Sequence, residues 1–166
     1  MNSLHDTLRD ILAGKARDLF ADYGVACSSE SSHVEAGRQL CGILGFTGDQ
    51  LCGSVVISAT HEAIAESNPI RDGATRGWVA ELTNQLVGRF KNALLRVGVE
   101  VAMSVPVVLT AAQLTPLPQT TNDPIRLDVG TGHVAVWLEV EADPALVLAE
   151  PSPESAIAAE GEAMLF

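Results

Sequence analysis

Positive charge is scarce in this chain: ten Lys plus Arg stand against 21 Asp plus Glu, a formal charge of −11. A surface so biased repels phosphate backbones and anionic headgroups, so neither nucleic acid nor a membrane is an expected partner. Long apolar runs are missing as well. No stretch approaches the roughly 20 residues that span a bilayer, and the opening MNSLHDTLRDIL alternates charges with leucines where a secretory leader carries an apolar core. A cytoplasmic protein is expected. Cysteine is limited to Cys27, Cys41 and Cys52, odd in number and without C-x-x-C spacing, which fits neither a disulfide framework nor a zinc site and agrees with a reducing compartment. They read as small core residues rather than redox switches. The histidines, His5, His33, His61 and His133, are scattered along the chain. Aromatics make up only 4% of residues, which leaves the core to Val, Leu, Ile and Ala and gives Trp78 and Trp137 packing roles.

What is present is enough for one domain. The chain has 166 residues, 47% hydrophobic and 19% charged, the balance of a folded protein with one sizeable core. Leu4, Leu8, Ile11, Leu12, Leu19 and Phe20 keep helical spacing behind a Ser3/Asp6 capping box, predicting a first helix that ends at Gly24. Residues 40–46 and 53–58 flank Thr47-Gly48-Asp49-Gln50 and predict a hairpin. Gly45-Phe46-Thr47-Gly48-Asp49 is only superficially a phosphate loop, since it lacks the lysine and precedes a strand. Thr60 to Ser67 predicts a short helix stopped by Asn68-Pro69, and Val99 to Leu109 a strand interrupted at Pro106. Alternation of Ile125, Leu127 and Val129, then Val134, Val136, Leu138 and Val140, around Gly130-Thr131-Gly132 predicts a second hairpin. The order of helix, strands, helix and strands predicts an α/β (α+β) fold, long helices packed on a mainly antiparallel sheet. Residues 1–142 form the expected domain and 143–166, with their prolines and glutamates, an acidic mobile tail.

The most patterned stretch is AELTNQLVGRFKNAL, Ala80 to Leu94. At about 100° per residue, Val79, Leu82, Leu86, Phe90, Ala93, Leu94 and Val97 fall within roughly 60° of one direction and make the core face. Glu81, Asn84 and Gly88 share the opposite face. An exposed glycine inside a helix costs about 1 kcal/mol relative to alanine, and the close approach of another backbone would explain it. On helix geometry alone the plain alternative stands: an ordinary surface carboxylate, a tolerated amide and a neutral glycine.

Context adds to this. Gly45-Phe46-Thr47-Gly48-Asp49 with Gly53-Ser54-Val55-Val56-Ile57-Ser58, then Glu81-Leu82-Thr83-Asn84 with Gly88, Lys91 and Asn92, then Ser104-Val105-Pro106-Val107-Val108 resemble, in order and spacing, the CheC/CheX/FliY family of chemotaxis phosphatases, and most closely its CheX-type members. The resemblance covers roughly residues 40 to 140. It implies a CheC/CheX-like fold and hydrolysis of the aspartyl phosphate on a CheY-like response-regulator receiver, in chemotaxis or another two-component pathway. Asn84 is then expected to orient the attacking water and Glu81 to pair with the receiver's lysine, as catalytic residues. Gln85, Gly88 and Lys91 are expected to bind the partner. The resemblance also implies a homodimer, and Mg2+ carried by the receiver rather than by this chain. CheC-type members hold two copies of the Glu-x-x-Asn motif, whereas this sequence has one, at Glu81 to Asn84, so a single site follows.

Arg89, Lys91 and Arg96 flank the same helix and are expected either to offset the acidity of the docking face or simply to solvate it. Two other functional classes stay open: a non-catalytic adaptor of the same fold that binds a receiver or a flagellar-switch partner, and a structural dimerisation domain.

Overall fold

Reciprocal capping starts the first helix. The Ser3 hydroxyl accepts from the Asp6 N–H and the Asp6 carboxylate accepts from the Ser3 N–H, each at 3.1 Å, satisfying donors that the first turn leaves without a partner. The same contact holds the Asp6 carboxyl below its ordinary pKa. From that cap α1 runs over Leu4–Asp22 and stops where Gly24 adopts φ +72°, a conformation that glycine enters without a Cβ clash.

The computed structural model describes residues 3–28, 38–70, 74–112 and 123–151. After α1 come β1 (Cys27–Ser28), β2 (Gln39–Thr47), β3 (Leu51–Thr60), α2 (His61–Ser67), α3 (Thr75–Arg96), β4 (Ala102–Met103), β5 (Val107–Ala111), β6 (Ile125–Val129) and β7 (Gly132–Ala142). The strands pair antiparallel throughout, in the order β1-β6-β7-β3-β2-β4, with β5 also on β2. This is the helix-on-antiparallel-sheet fold expected from the pattern.

Strand alternation decides which face is buried. Leu40, Leu44 and Phe46 of β2, Val55, Ile57 and Ala59 of β3, Leu127 of β6, and Val134, Val136 and Leu138 of β7 are all buried, and the registers align them on one side of the sheet. The helices meet this side: α3 packs on β2 and β3, and α1 on α3, β1 and β6. The three-carbon side chains of Val and the larger Leu fill the layer, with Phe46 and Phe90 in an edge contact at 5.8 Å. A Cβ at Gly42 of β2 would overlap the Thr83 hydroxyl and crowd Val79, so the glycine is what allows α3 to lie this close to the sheet.

One expectation is refined. The segment around Pro106 is two short strands rather than one: β4 bonds Phe46 and Thr47, β5 bonds Gln39 to Ile43, and Ser104 fills the gap by exchanging bonds with Gly45 (N–H to carbonyl 2.9 Å, hydroxyl accepting at 3.0 Å). Proline has no N–H for a ladder, and the break falls on it. In the β6–β7 turn, Gly130 takes φ +59° and the Glu66 carboxylate of α2 accepts from the Thr131 N–H and hydroxyl, pinning the hairpin tip to the helix. Thr60 caps α2, and Asn68 leaves it in an extended conformation ahead of Pro69.

Beyond β7, residues 143–151 stay on the body. The Asp143 N–H bonds the Gln50 carbonyl, the Ala149 N–H bonds the Val97 carbonyl, both at 2.9 Å, and Leu146 is buried. The rest of the expected tail, 152–166, lies outside the described residues.

Candidate functional site

Helix α3 presents its motif by burying what lies between. In Glu81-Leu82-Thr83-Asn84, Leu82 and Thr83 are buried while Glu81 and Asn84 are exposed, one turn apart on the outward face. Thr83 reads as a surface residue by polarity, yet it is fully enclosed. Its hydroxyl donates to the Val79 carbonyl at 2.7 Å, the usual way a helical threonine satisfies itself without an outside partner. Its position against Gly42 then fixes the rotation of α3, and with it the outward aim of the flanking Glu81 and Asn84. Val87, also buried, completes the inward face, whereas Ala93 is only half-buried at its margin.

One turn further, Gly88 is half-exposed, and a Cβ built there meets nothing within 4 Å. Packing among the described residues therefore does not explain this glycine. Gln85 is half-buried, and its amide is engaged inside the chain: Nε2 donates to Glu81 Oε1 at 2.7 Å and Oε1 accepts from the Tyr23 hydroxyl at 2.8 Å. The Tyr23 ring stands edge-on to Trp78 at 4.8 Å, and the indole N–H donates to the Ser67 hydroxyl at 3.1 Å. Trp78 thus has the packing role expected for it.

The flanking charges divide. Arg89 bonds Asp22 at the end of α1, with 2.8 Å between Nη2 and Oδ2, so its charge is largely spent on a carboxylate of this chain. Arg96 sits in the last turn of α3, where a cation suits the helix dipole. Lys91, half-buried, is the cation of the three that lies one turn beyond Gly88 without a carboxylate beside it in the salt bridges of the described residues. At the helix's other end Arg76 ties α3 to the sheet by donating to the Val108 carbonyl at 2.8 Å.

The cysteines occupy small niches: Cys41 is buried against Ser58, and Cys27 and Cys52 are half-buried. Burial pushes the Cys27 thiol above its ordinary pKa, which keeps it in the unreactive neutral form. Among the described residues no group of three or more His, Cys, Asp or Glu converges as metal ligands would, and no helix is long and apolar enough to cross a membrane.

Sequence periodicity located Glu81, Asn84 and Gly88 on one face but not Tyr23 or Asp22. Both come from the far end of α1, and nothing local to either helix records that the two meet. The burial of Thr83 was not read from the sequence, because its side chain is polar.

The fold has known counterparts. A family model described as chemotaxis phosphatase CheX matches residues 40–129, from β2 through β6. No curated protein sequence matches. Among solved structures, chemotaxis protein CheX from Vibrio vulnificus is similar with a TM-score of 0.66 at 18% identity, over 81% of this chain and 99% of that one. A CheC-like superfamily protein from Shewanella sp. PV-4 gives a TM-score of 0.59 at 20% identity, over 84% of this chain and 99% of that one. The CheX–CheY–BeF3–Mg2+ complex from Borrelia burgdorferi gives 0.52 at 15% identity, over 82% and 98%. At these identities the likeness is one of fold.

Proposed function

The chain belongs to the family of the chemotaxis phosphatase CheX, and from that premise we propose that it hydrolyses the aspartyl phosphate of a CheY-like receiver domain, with Asn84 and Glu81 as its catalytic residues. The observation that carries the proposal is the pair itself: a carboxylate and an amide, both exposed, one turn apart on a helix whose other faces are held by the sheet and by α1.

The chemistry asks little of the helper. An acyl phosphate already has a good leaving group, so placing a water in line with phosphorus supplies most of what is needed. A neutral amide both donates and accepts, so Asn84 can hold water by its oxygen and hydrogen together without repelling the anionic phosphoryl group. The water oxygen bonds to phosphorus and the bond to the aspartyl oxygen breaks. Its electron pair returns to the carboxylate, and the water proton leaves on inorganic phosphate. Glu81 pairs with the receiver's lysine and fixes the register of the two proteins. Mg2+, held by the receiver, neutralises charge on the transferring group. Support for this partner class comes from the Borrelia relative, solved with CheY, Mg2+ and BeF3, a tetrahedral stand-in for a phosphoryl group.

Gly88 gives the partner backbone room to approach, Gln85 borders that surface, and Lys91 offers the acidic receiver face a cation. A homodimer formed through the sheet is part of the same proposal. Strand β5 pairs with β2 alone among the described strands and leaves Val107 and Leu109 exposed, an edge that a second copy would cover. A cytoplasmic location follows from the receiver's own.

The test is turnover. Substoichiometric amounts of the chain should accelerate phosphate loss from a phosphorylated CheY-type receiver of the same organism in the presence of Mg2+. Binding of the phosphorylated receiver without acceleration would replace the phosphatase by an adaptor of the same fold.

A further inference from the structure

Glu81 is exposed, and a glutamate on a helix surface ordinarily wanders among many rotamers. Here it does not stand alone. A carboxylate only accepts hydrogen bonds, so the Gln85 group facing Glu81 Oε1 must be its NH2. That choice turns Gln85 Oε1 toward Tyr23, whose hydroxyl must then donate. The direction of the whole relay, Tyr23 to Gln85 to Glu81, is therefore fixed by chemistry, over contacts of 2.8 and 2.7 Å.

Its far end is anchored. The Tyr23 ring lies edge-on against Trp78, the indole N–H reaches Ser67, and the buried Ser67 hydroxyl bonds the Ala63 carbonyl of α2 at 2.8 Å. The neighbouring Asp22 holds Arg89, which sits one turn beyond Gln85 on α3. The last helical residue of α1 and its cap thus grip two successive turns of α3 along the flank of the exposed pair. Resting on the phosphatase reading above, we propose that Tyr23 and Gln85 are positioning residues: they hold the Glu81 carboxylate ready for the receiver's ammonium before the two proteins meet. A carboxylate accepts several hydrogen bonds, so the contact to Gln85 leaves capacity for the lysine. Ordering Glu81 in the unbound protein lowers the cost of ordering it on binding, which strengthens association. Asn84 handles the water separately, so the relay acts on affinity rather than on the chemical step.

The experiment uses Tyr23→Phe, which keeps the ring against Trp78 and removes only the hydroxyl, and Gln85→Met, which keeps the chain length and removes the amide. Each is made in the wild-type and the Glu81→Ala backgrounds, and affinity is measured for the receiver loaded with BeF3 and Mg2+, so hydrolysis is not required. Loss of one such hydrogen bond predicts roughly a 3- to 10-fold weaker Kd, and for Tyr23→Phe, which lies off the docking surface, kcat for the phosphorylated receiver stays near wild type. In the Glu81→Ala background Tyr23→Phe should not weaken binding further, and Gln85→Met should weaken it less than in the wild type. In the protein without receiver, the Gln85 side-chain amide resonances should move on Tyr23→Phe. Equal losses in both backgrounds, or Gln85 resonances that ignore Tyr23→Phe, overturn the relay. A wild-type chain that binds but does not hydrolyse, while the background dependence holds, removes the phosphatase reading and upholds the relay as a docking device. A wild-type chain that does neither removes both.

Discussion

Replacing Gly88 by alanine separates what α3 needs for its own stability from what a partner needs of it. Among the described residues, a methyl at this position meets nothing within 4 Å beyond its own helix backbone, so no packing is lost. Alanine gains about 1 kcal/mol of helix propensity over glycine, part of it by restricting the unfolded chain. In a domain of this length that corresponds to a rise in Tm of roughly 2–4 °C. The same methyl projects one turn from Asn84 on the face proposed to dock, where an intruding carbon in a close-packed contact costs about 1–3 kcal/mol. The expected outcome is a protein more stable in urea denaturation and at least about fivefold poorer in kcat/KM for the phosphorylated receiver. Gly14→Ala on α1 is the control, because its Cβ also enters open space; it should stabilise similarly and leave kcat/KM alone. Gly42→Ala should do the reverse and destabilise by about 1–3 kcal/mol, since its Cβ overlaps the Thr83 hydroxyl. Stabilisation by Gly88→Ala with unchanged kcat/KM refutes a docking role for the glycine, and destabilisation refutes the helix geometry itself.

Charge and pH supply further checks. Lys91→Glu should slow association with the phosphorylated receiver at low salt, with the difference shrinking as ionic strength rises; stopped-flow rates that match wild type at low salt contradict the electrostatic role. Asp6, whose folded pKa lies below 3.8 through its bond to Ser3, contributes to α1 above that value and loses the contribution as pH falls through the lowered folded pKa. Far-UV circular dichroism of wild type against Asp6→Asn should therefore differ at neutral pH and converge in acid. Tyr23→Phe should weaken receiver binding in the wild-type but not in the Glu81→Ala background, read as paired Kd values.

Much of the architecture was legible because local signals agreed with one another. The capping box of α1, the two hairpins, the short α2 and the apolar face of α3 each carried a local signal in the sequence, and each formed where expected. Glu81 and Asn84 were legible for the same reason, being the polar positions farthest from a strong apolar stripe. Where the pattern fell short, the cause was distance along the chain. The split around Pro106 depends on how β4 and β5 share β2, and Ser104 bridges them from a position no periodicity marks. The burial of Thr83 depends on a glycine in another element, and the hold on Gln85 on a tyrosine 62 residues away. Arg89, expected to lighten the acidic face, is taken by Asp22 for the same reason: α1 ends beside it.

Whether Asn84 holds the water that attacks phosphorus is read from the decay of a phosphorylated CheY-type receiver with Mg2+ in the presence of wild-type chain or its Asn84→Ala variant. Wild type should accelerate the decay at catalytic amounts, and Asn84→Ala should lose on the order of 10²-fold or more, the cost of misplacing a positioned reactant, while still binding the receiver. Decay accelerated equally by both proteins would contradict the claim.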